Sequence, residues 1–522
     1  MGFRCFRVLL LVLLFKIFFT RSARILVVLT TPCRSHFIVG MAVVESLVDR
    51  GHNLTVVTNM PWKDSESRFK YIKVQTSVNL EDMMKNILQT QTSETSAITL
   101  IRDLFRFYPS VLTVCDEALR DSEVQRLKEE ESFDLLLLDY FGNEFQLGLA
   151  SHFNCPVVML WSTKPPIMIN RIVGITPELS YVPQFFTTEK QPLSFSGKIK
   201  NILLSHFQGY THKLITTIFQ TLRLHFPRSK YPPLEEMVRN ISLVLINHHF
   251  SQGPIRPIVP AMVEIGGIQI KDKPKVLPLD IKHFLDDAGE DGAIYFSFGS
   301  IIQSSKLNEK NMKMMYNVLS KIKQKILWKW ENDHYPGKSS NILYKNWLPQ
   351  ADILAHGNLK LFITHGGKGG LTESQYHGVP MIAVPFFADQ TSNAQIMETD
   401  GFGLVLNFAN MTEDYFRNAL LEVLENPKYK RQIKKFSQLY RDRPQSPQET
   451  AVFWVEYVIR HHGAPHMQSP LVHMSVWQVL YLDVFVLLLA ITLVTIFMMK
   501  LHFRRKSKKM GKIMKIEKKK QN

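Results

Sequence analysis

The apolar run Leu359-Lys360-Leu361-Phe362-Ile363 stops abruptly at Thr364-His365-Gly366-Gly367 and gives way to a helix-compatible segment. A strand that feeds a glycine-rich turn at a helix start leaves backbone N–H groups unpaired, and the helix dipole adds to their attraction for an anion. A second strand-like piece, Pro380-Met381-Ile382-Ala383-Val384-Pro385, runs out at Asp389-Gln390. A histidine, an anion-cradling turn and an acid–amide pair therefore all follow strand ends, which is the ligand-binding edge of an open α/β sheet.

Other continuous apolar runs repeat this pattern. Arg24–Leu29 is the kind of strand a parallel sheet buries on both faces. A helix from His36 to Asp49, closed by Gly51, and a strand from Asn53 to Thr58 complete a βαβ unit. Further strands are predicted at Leu135–Leu138, Pro156–Leu160 and Leu243–Ile246, and a second βα series starts at Ala293–Phe298. The charged, proline-containing stretch from Lys271 to Asp280 reads as a linker, and Gln448 to His462 as a final helix. With 522 residues, 45% of them hydrophobic, the chain can fill two α/β cores.

The segment from Trp347 to Asn393 resembles the signature of the UDP-glycosyltransferases, the family of animal glucuronosyltransferases, insect glucosyltransferases and plant relatives. The likeness is carried by Trp347-Leu348-Pro349-Gln350, Phe362-Ile363-Thr364-His365-Gly366-Gly367, Glu373, Tyr376-His377-Gly378-Val379-Pro380 and Asp389-Gln390 with Asn393. It extends along nearly the whole chain and looks most like insect members. The fold it implies is GT-B: two Rossmann-like domains facing a cleft, with a C-terminal transmembrane helix. The expected division is a signal peptide at 1–22, an acceptor domain at 23–271, a linker at 272–280, and a UDP-sugar domain at 281–465. A membrane helix at 480–499 and a basic tail at 500–522 complete it.

The net charge of +17 is concentrated at the ends. Residues 500–522 hold eleven Lys/Arg against Glu517, giving +10, and Arg4, Arg7, Lys16 and Arg21 add +4, which leaves +3 for the body. No basic stripe calls for nucleic acid. Met1–Ser22 reads as a secretory signal interrupted by Lys16. Leu480–Met499 is apolar apart from Asp483, enough to span a bilayer, and Arg504-Arg505-Lys506 place the tail in the cytosol. Lys519 and Lys520 resemble a dilysine retrieval signal, so an endoplasmic-reticulum membrane protein with a lumenal body is expected. Cys33, Cys115 and Cys155 read as buried thiols with room for one disulfide. Asn53, Asn240 and Asn410 are N-x-Ser/Thr sites; Asn410 is favoured because Asn53 opens a strand expected to be inaccessible. An oligomer of identical chains is left open.

The resemblance assigns roles residue by residue. His36 becomes the general base that activates an acceptor hydroxyl, and Asp139 the carboxylate that orients it. Trp347 stacks on uracil, Gln350 bonds the base or ribose, and Glu373 accepts from ribose hydroxyls. Ser300, His365, Gly366 and Gly367 hold the diphosphate, while Asp389 and Gln390 bind sugar hydroxyls. No cofactor and no metal are expected, the UDP-sugar being a co-substrate. Gly366-Gly367-Lys368-Gly369-Gly370 is not an ATP loop, since no Ser or Thr follows the lysine.

Two departures from the vertebrate pattern stand out. Gly369 replaces an asparagine, and Ile246-Asn247-His248-His249-Phe250 replaces an arginine-containing stretch suited to glucuronate. The expectation is therefore UDP-glucose over UDP-glucuronate. Apolar residues within Met60–Thr113 and Thr163–Pro233 are expected to line a pocket for small lipophilic hydroxyl compounds. A silent lipophile-binding protein and a lipid galactosyltransferase are the alternatives.

Overall fold

The computed structural model describes residues 22–62, 68–79, 97–184, 187, 189, 191–220 and 225–520. The signal segment at 1–21 and part of the expected acceptor region lie outside the described residues. Two compact units are present, Met1–Ser469 and Pro470–Asn522.

The first unit contains two parallel sheets. One is built from β1 (Arg24–Leu29), β2 (Asn53–Thr58), β3 (Lys70–Lys73), β4 (Leu135–Asp139), β5 (Val157–Trp161), β6 (Ile241–Ile246) and β7 (Met262–Glu264), in spatial order 3-2-1-4-5-6-7. The other consists of β8 (Ala293–Ser297), β9 (Lys325–Lys329), β10 (Ile342–Lys345), β11 (Leu359–Thr364), β12 (Met381–Ala383) and β13 (Gly403–Val405), in order 10-9-8-11-12-13. β4, β5 and β6 are buried at every position, which is why Leu135–Leu138, Val157–Trp161 and Leu243–Ile246 are unbroken apolar runs rather than alternating ones. Both sheets reverse their strand order between neighbours, at β1/β4 and at β8/β11. A crevice opens at such a point, beyond the carboxyl ends of the strands.

The first helix, Arg34–Asp49, starts two residues earlier than its apolar pattern suggests, and Gly51 behind it takes the left-handed φ of +98°. The expected linker is shortened because a helix already begins at Leu279. The Pro447–Arg460 helix, opened by a Ser446/Glu449 capping box, follows the second sheet in sequence yet packs on the first. Its Ala451, Val455 and Val458 join the first core, and burying each valine contributes about 1.5–3 kcal/mol. Glu456 of that helix accepts from Arg50 Nε at 2.9 Å, and Gln448 Nε2 donates to the Ile268 and Ile270 carbonyls.

Asn53 is exposed, as are Asn240 and Asn410, so position at the head of a strand does not shield the first sequon. Its side chain precedes the buried part of β2. Cys33, Cys115 and Cys155 are all free, and burial pushes the thiols of Cys33 and Cys115 up to about 12.

In the second unit a helix runs from Leu482 to Lys520, so it extends through the basic tail instead of stopping at the end of the apolar segment. Its Leu482–Glu517 portion, with a window of mean hydropathy 2.6, is long and apolar enough to cross a membrane.

Candidate active site

His36 sits in the first turn of the helix that follows β1, and Asp139 is the last residue of β4, so the β1/β4 reversal brings them together. His36 Nδ1 lies 3.2 Å from Asp139 Oδ1. The carboxylate is 1% exposed and the imidazole 12%, which leaves Nε2 as the nitrogen turned toward the cavity that His36 lines. Phe141 meets the imidazole edge-to-face at 5.3 Å. A buried network that the sequence did not suggest supports this strand end. Asn143 Nδ2 donates to the Asp139 carbonyl and to Gln146 Oε1, both at 2.9 Å, and Thr30 Oγ1 donates to the same Gln146 oxygen. Nothing in the spacing of Thr30, Asn143 and Gln146 marks them, because they meet only through the fold.

The cavity has a volume of about 580 Å³ and is lined from both sheets. From the second come Ser300, Trp347, Gln350, His365, Gly367, Glu373, Asp389 and Gln390, all of which the sequence reading had singled out. Gly366, with φ +81°, makes the turn behind His365 and does not itself line the cavity. Burial, and after it the charge of Lys329, pushes His365 down to about 4, so its ring is neutral at physiological pH. A neutral imidazole can still donate one hydrogen bond to a phosphate, and its buried Nδ1 has no partner within the protein among the described residues.

The remaining donor-side residues are more constrained than their sequence roles imply. Gln350 Nε2 donates to Glu373 Oε2 at 2.7 Å, so the two residues expected to meet the base and ribose are already joined to each other. Burial pushes the Glu373 carboxyl up to about 7, while the bond from Gln350 acts in the opposite direction. Trp347 is exposed, but the Arg34 guanidinium lies 4.9 Å from its ring centroid, so a base stacking on that face must displace a cation. Asp389 is aimed by Asn393, whose Nδ2 donates to its Oδ2 at 2.7 Å. Gln390 Oε1 accepts from the Phe386 and Phe387 N–H groups, leaving its amide nitrogen as the group it can offer.

Asn247 is buried with both ends of its amide engaged. Its oxygen accepts from Gly267 N at 2.9 Å and its nitrogen donates to the Ser162 carbonyl at 3.3 Å. Position 247 therefore holds a loop together. Asn247 also lines the cavity, and burial first, then the charges of Lys368, Arg256 and Lys164, hold the adjoining His248 well below its usual value, so three cations share this neighbourhood. The acceptor side is apolar, with Ile38, Val39, Phe107, Phe141, Trp161 and Ile167 among its lining.

Comparison with known proteins places the chain in a family and a fold. Residues 23–520 match the family described as UDP-glucoronosyl and UDP-glucosyl transferase. The chain is 32% identical to UDP-glycosyltransferase UGT5 of Dactylopius coccus, over 90% of this chain and 89% of that one. It is 31% identical to UDP-glucuronosyltransferase 1A1 of Mus musculus, over 89% and 87%. Among solved structures it superposes on the spinosyn forosaminyltransferase SpnP with a TM-score of 0.57 at 16% identity, covering 84% of this chain and all of that one. The calicheamicin glycosyltransferase CalG4 gives 0.53 at 17%, covering 85% and 100%. The fold is GT-B, and the chain belongs to the UDP-glycosyltransferases, enzymes that move a sugar from a UDP-sugar to an acceptor.

Proposed function

We propose that the enzyme transfers a hexosyl group, with inversion and without a metal ion, to the hydroxyl of a small lipophilic acceptor. The observation that carries this reading is that His36, held from behind by the buried Asp139, lines the same cavity as the His365 turn and the Asp389–Gln390 corner. His36 Nε2 takes the acceptor proton while the acceptor oxygen bonds to the anomeric carbon. The bond from that carbon to UDP breaks, its electron pair going to the β-phosphate oxygen. Asp139 holds the Nδ1–H tautomer and stabilises the imidazolium that forms. The N–H groups around Gly366–Gly367 and the His365 ring face the charge that develops on UDP, a task that preorganised dipoles can perform.

The apolar lining supports a lipophilic acceptor. Glucose is the sugar favoured by position 247 alone; the cations at 164 and 368 alter that balance. Incubation with UDP-glucose, UDP-glucuronate and UDP-galactose and a mixed set of phenols should yield a β-glycoside. Retained α-configuration in the product's proton NMR spectrum would rule out single displacement. Absence of product beside measurable UDP-sugar binding would favour a binding protein, and a lipid galactoside would favour the third reading.

The apolar helix and the basic residues behind it support a single-pass anchor with the catalytic body in the endoplasmic-reticulum lumen and Lys519–Lys520 in the cytosol. Protease added to intact microsomes should trim only the tail; digestion of the body would reverse the orientation.

A further inference from the structure

One lysine lines the sugar end of the cavity, and a second follows the lining residue Thr163 in the chain. Lys368 lines the cavity, as the first residue of the helix that follows Gly367, and its Nζ donates to Gln252 Oε1 at 2.6 Å. Lys164, beyond the end of β5, is 7% exposed and donates to Ser392 Oγ at 3.2 Å, on the helix that opens at Gln390. Behind them Arg256 Nη1 donates to the Pro165 carbonyl at 2.8 Å, while its buried Nε has no partner among the described residues. The partners of Lys368 and Arg256 are thus neutral oxygens. A cation in such surroundings is costly unless an anion joins it.

The site also offers a neutral donor. Ser162 Oγ is buried, lines the cavity, and has no partner among the described residues. Burial first and the charge of Lys164 second push Lys368 down to about 7, whereas Asp389 and Glu264 pull the other way. Burial and then Arg256 push Lys164 down to about 8, with Asp389 again opposing. A bound anion would favour the ammonium form of Lys368 further.

We propose that Lys368 and Ser162, with Lys164 as a nearby charge, form a subsite for a substrate carboxylate next to Asp389 and Gln390, which makes Lys368 a specificity-determining residue of this enzyme. The proposal rests on the reading of the cavity as the UDP-sugar site. Two substrates could bring the carboxylate there. One is a donor carrying it on C6, and the other is an acceptor carrying it on its ring. A charge-assisted hydrogen bond of this kind separates the carboxylated compound from its neutral counterpart by roughly 10–100-fold.

The full-length enzyme in detergent tests this without requiring turnover, by displacement of radiolabelled UDP with UDP-glucuronate and with UDP-glucose. In the donor case wild type prefers UDP-glucuronate by roughly 10–100-fold. Lys368→Met brings that ratio near unity, Lys368→Arg restores it, and Lys164→Met lowers it in part. In the acceptor case the donor ratio is flat, and kcat/KM with UDP-glucose favours 4-hydroxybenzoate over 4-hydroxybenzamide in wild type and Lys368→Arg but not in Lys368→Met. Either pattern supports the subsite. Ratios that are the same in wild type and both methionine variants, with UDP still bound, overturn it. Failure of UDP itself to bind overturns instead the reading of the cavity on which the proposal rests.

Discussion

Replacing His36 by alanine should lower kcat by roughly 10²–10⁴-fold, the usual contribution of a positioned general base, while UDP affinity stays within about twofold. The split between the two quantities follows from geometry. His36 belongs to the first sheet, and every residue assigned to UDP belongs to the second. Asp139→Asn should fall in the same range, because an amide cannot enforce the Nδ1–H tautomer or offset an imidazolium, although it fills the same buried space. Initial rates combined with calorimetric UDP titration measure both quantities. Turnover near wild type in His36→Ala would leave the proton transfer to another group.

A methyl group at either glycine flanking His365 should reduce UDP affinity by at least roughly 10²-fold, the loss expected when two charge-assisted contacts of about 1.5–3 kcal/mol each are displaced. A Cβ at Gly367 would lie 2.3 Å from His365 Nε2, and one at Gly299 2.5 Å from His365 Cε1. The ring is thus hemmed in by two glycines, and a methyl from one side drives it toward the other. At Gly299 the φ of +84° adds backbone strain for any side chain. Calorimetry on Gly299→Ala and Gly367→Ala, with circular dichroism to verify folding, separates a displaced ring from a lost domain. Gly357→Ala, whose new methyl meets nothing within 4 Å, is the control. Wild-type affinity in both flanking variants would mean that His365 does not hold the diphosphate.

The central strands could be read from the chain because burial on both faces leaves a simple imprint. Leu135–Leu138 and Leu243–Ile246 are apolar at every position, and that holds for few other structures. The outer strands left no such mark. Lys70–Lys73 is largely solvated, Ile342–Lys345 is mostly half-buried, and Lys325–Lys329 carries a lysine at each end. Residues following the strand ends were found for a related reason, since parallel topology gathers them at one edge whatever the loops do. His36 with Asp139, and His365 with Asp389, came from that rule and from the family likeness.

Contacts between the two halves were the part that stayed hidden. Gln252 lies 116 residues from Lys368, and Lys164 lies 228 from Ser392. Periodicity reports the face a residue presents, not the partner it will meet. The same blindness explains the weight placed on Asn247, whose amide proved to be tied to Gly267 and Ser162.

The helix from Pro447 to Arg460 has a consequence for biosynthesis. Its apolar face completes the core formed by β1 to β7, yet it is separated from β7 by all six strands of the other sheet. A nascent chain that has already emerged as far as Glu264 must keep an uncovered patch until roughly 190 more residues have been made, at a synthesis rate of about 5–20 residues per second. For that interval of about 10–40 seconds the amino-terminal half carries apolar surface that its own packing has not yet covered. A chain terminated anywhere before Pro447 would therefore lose more than its carboxyl end; it would expose the interior of the half synthesised first.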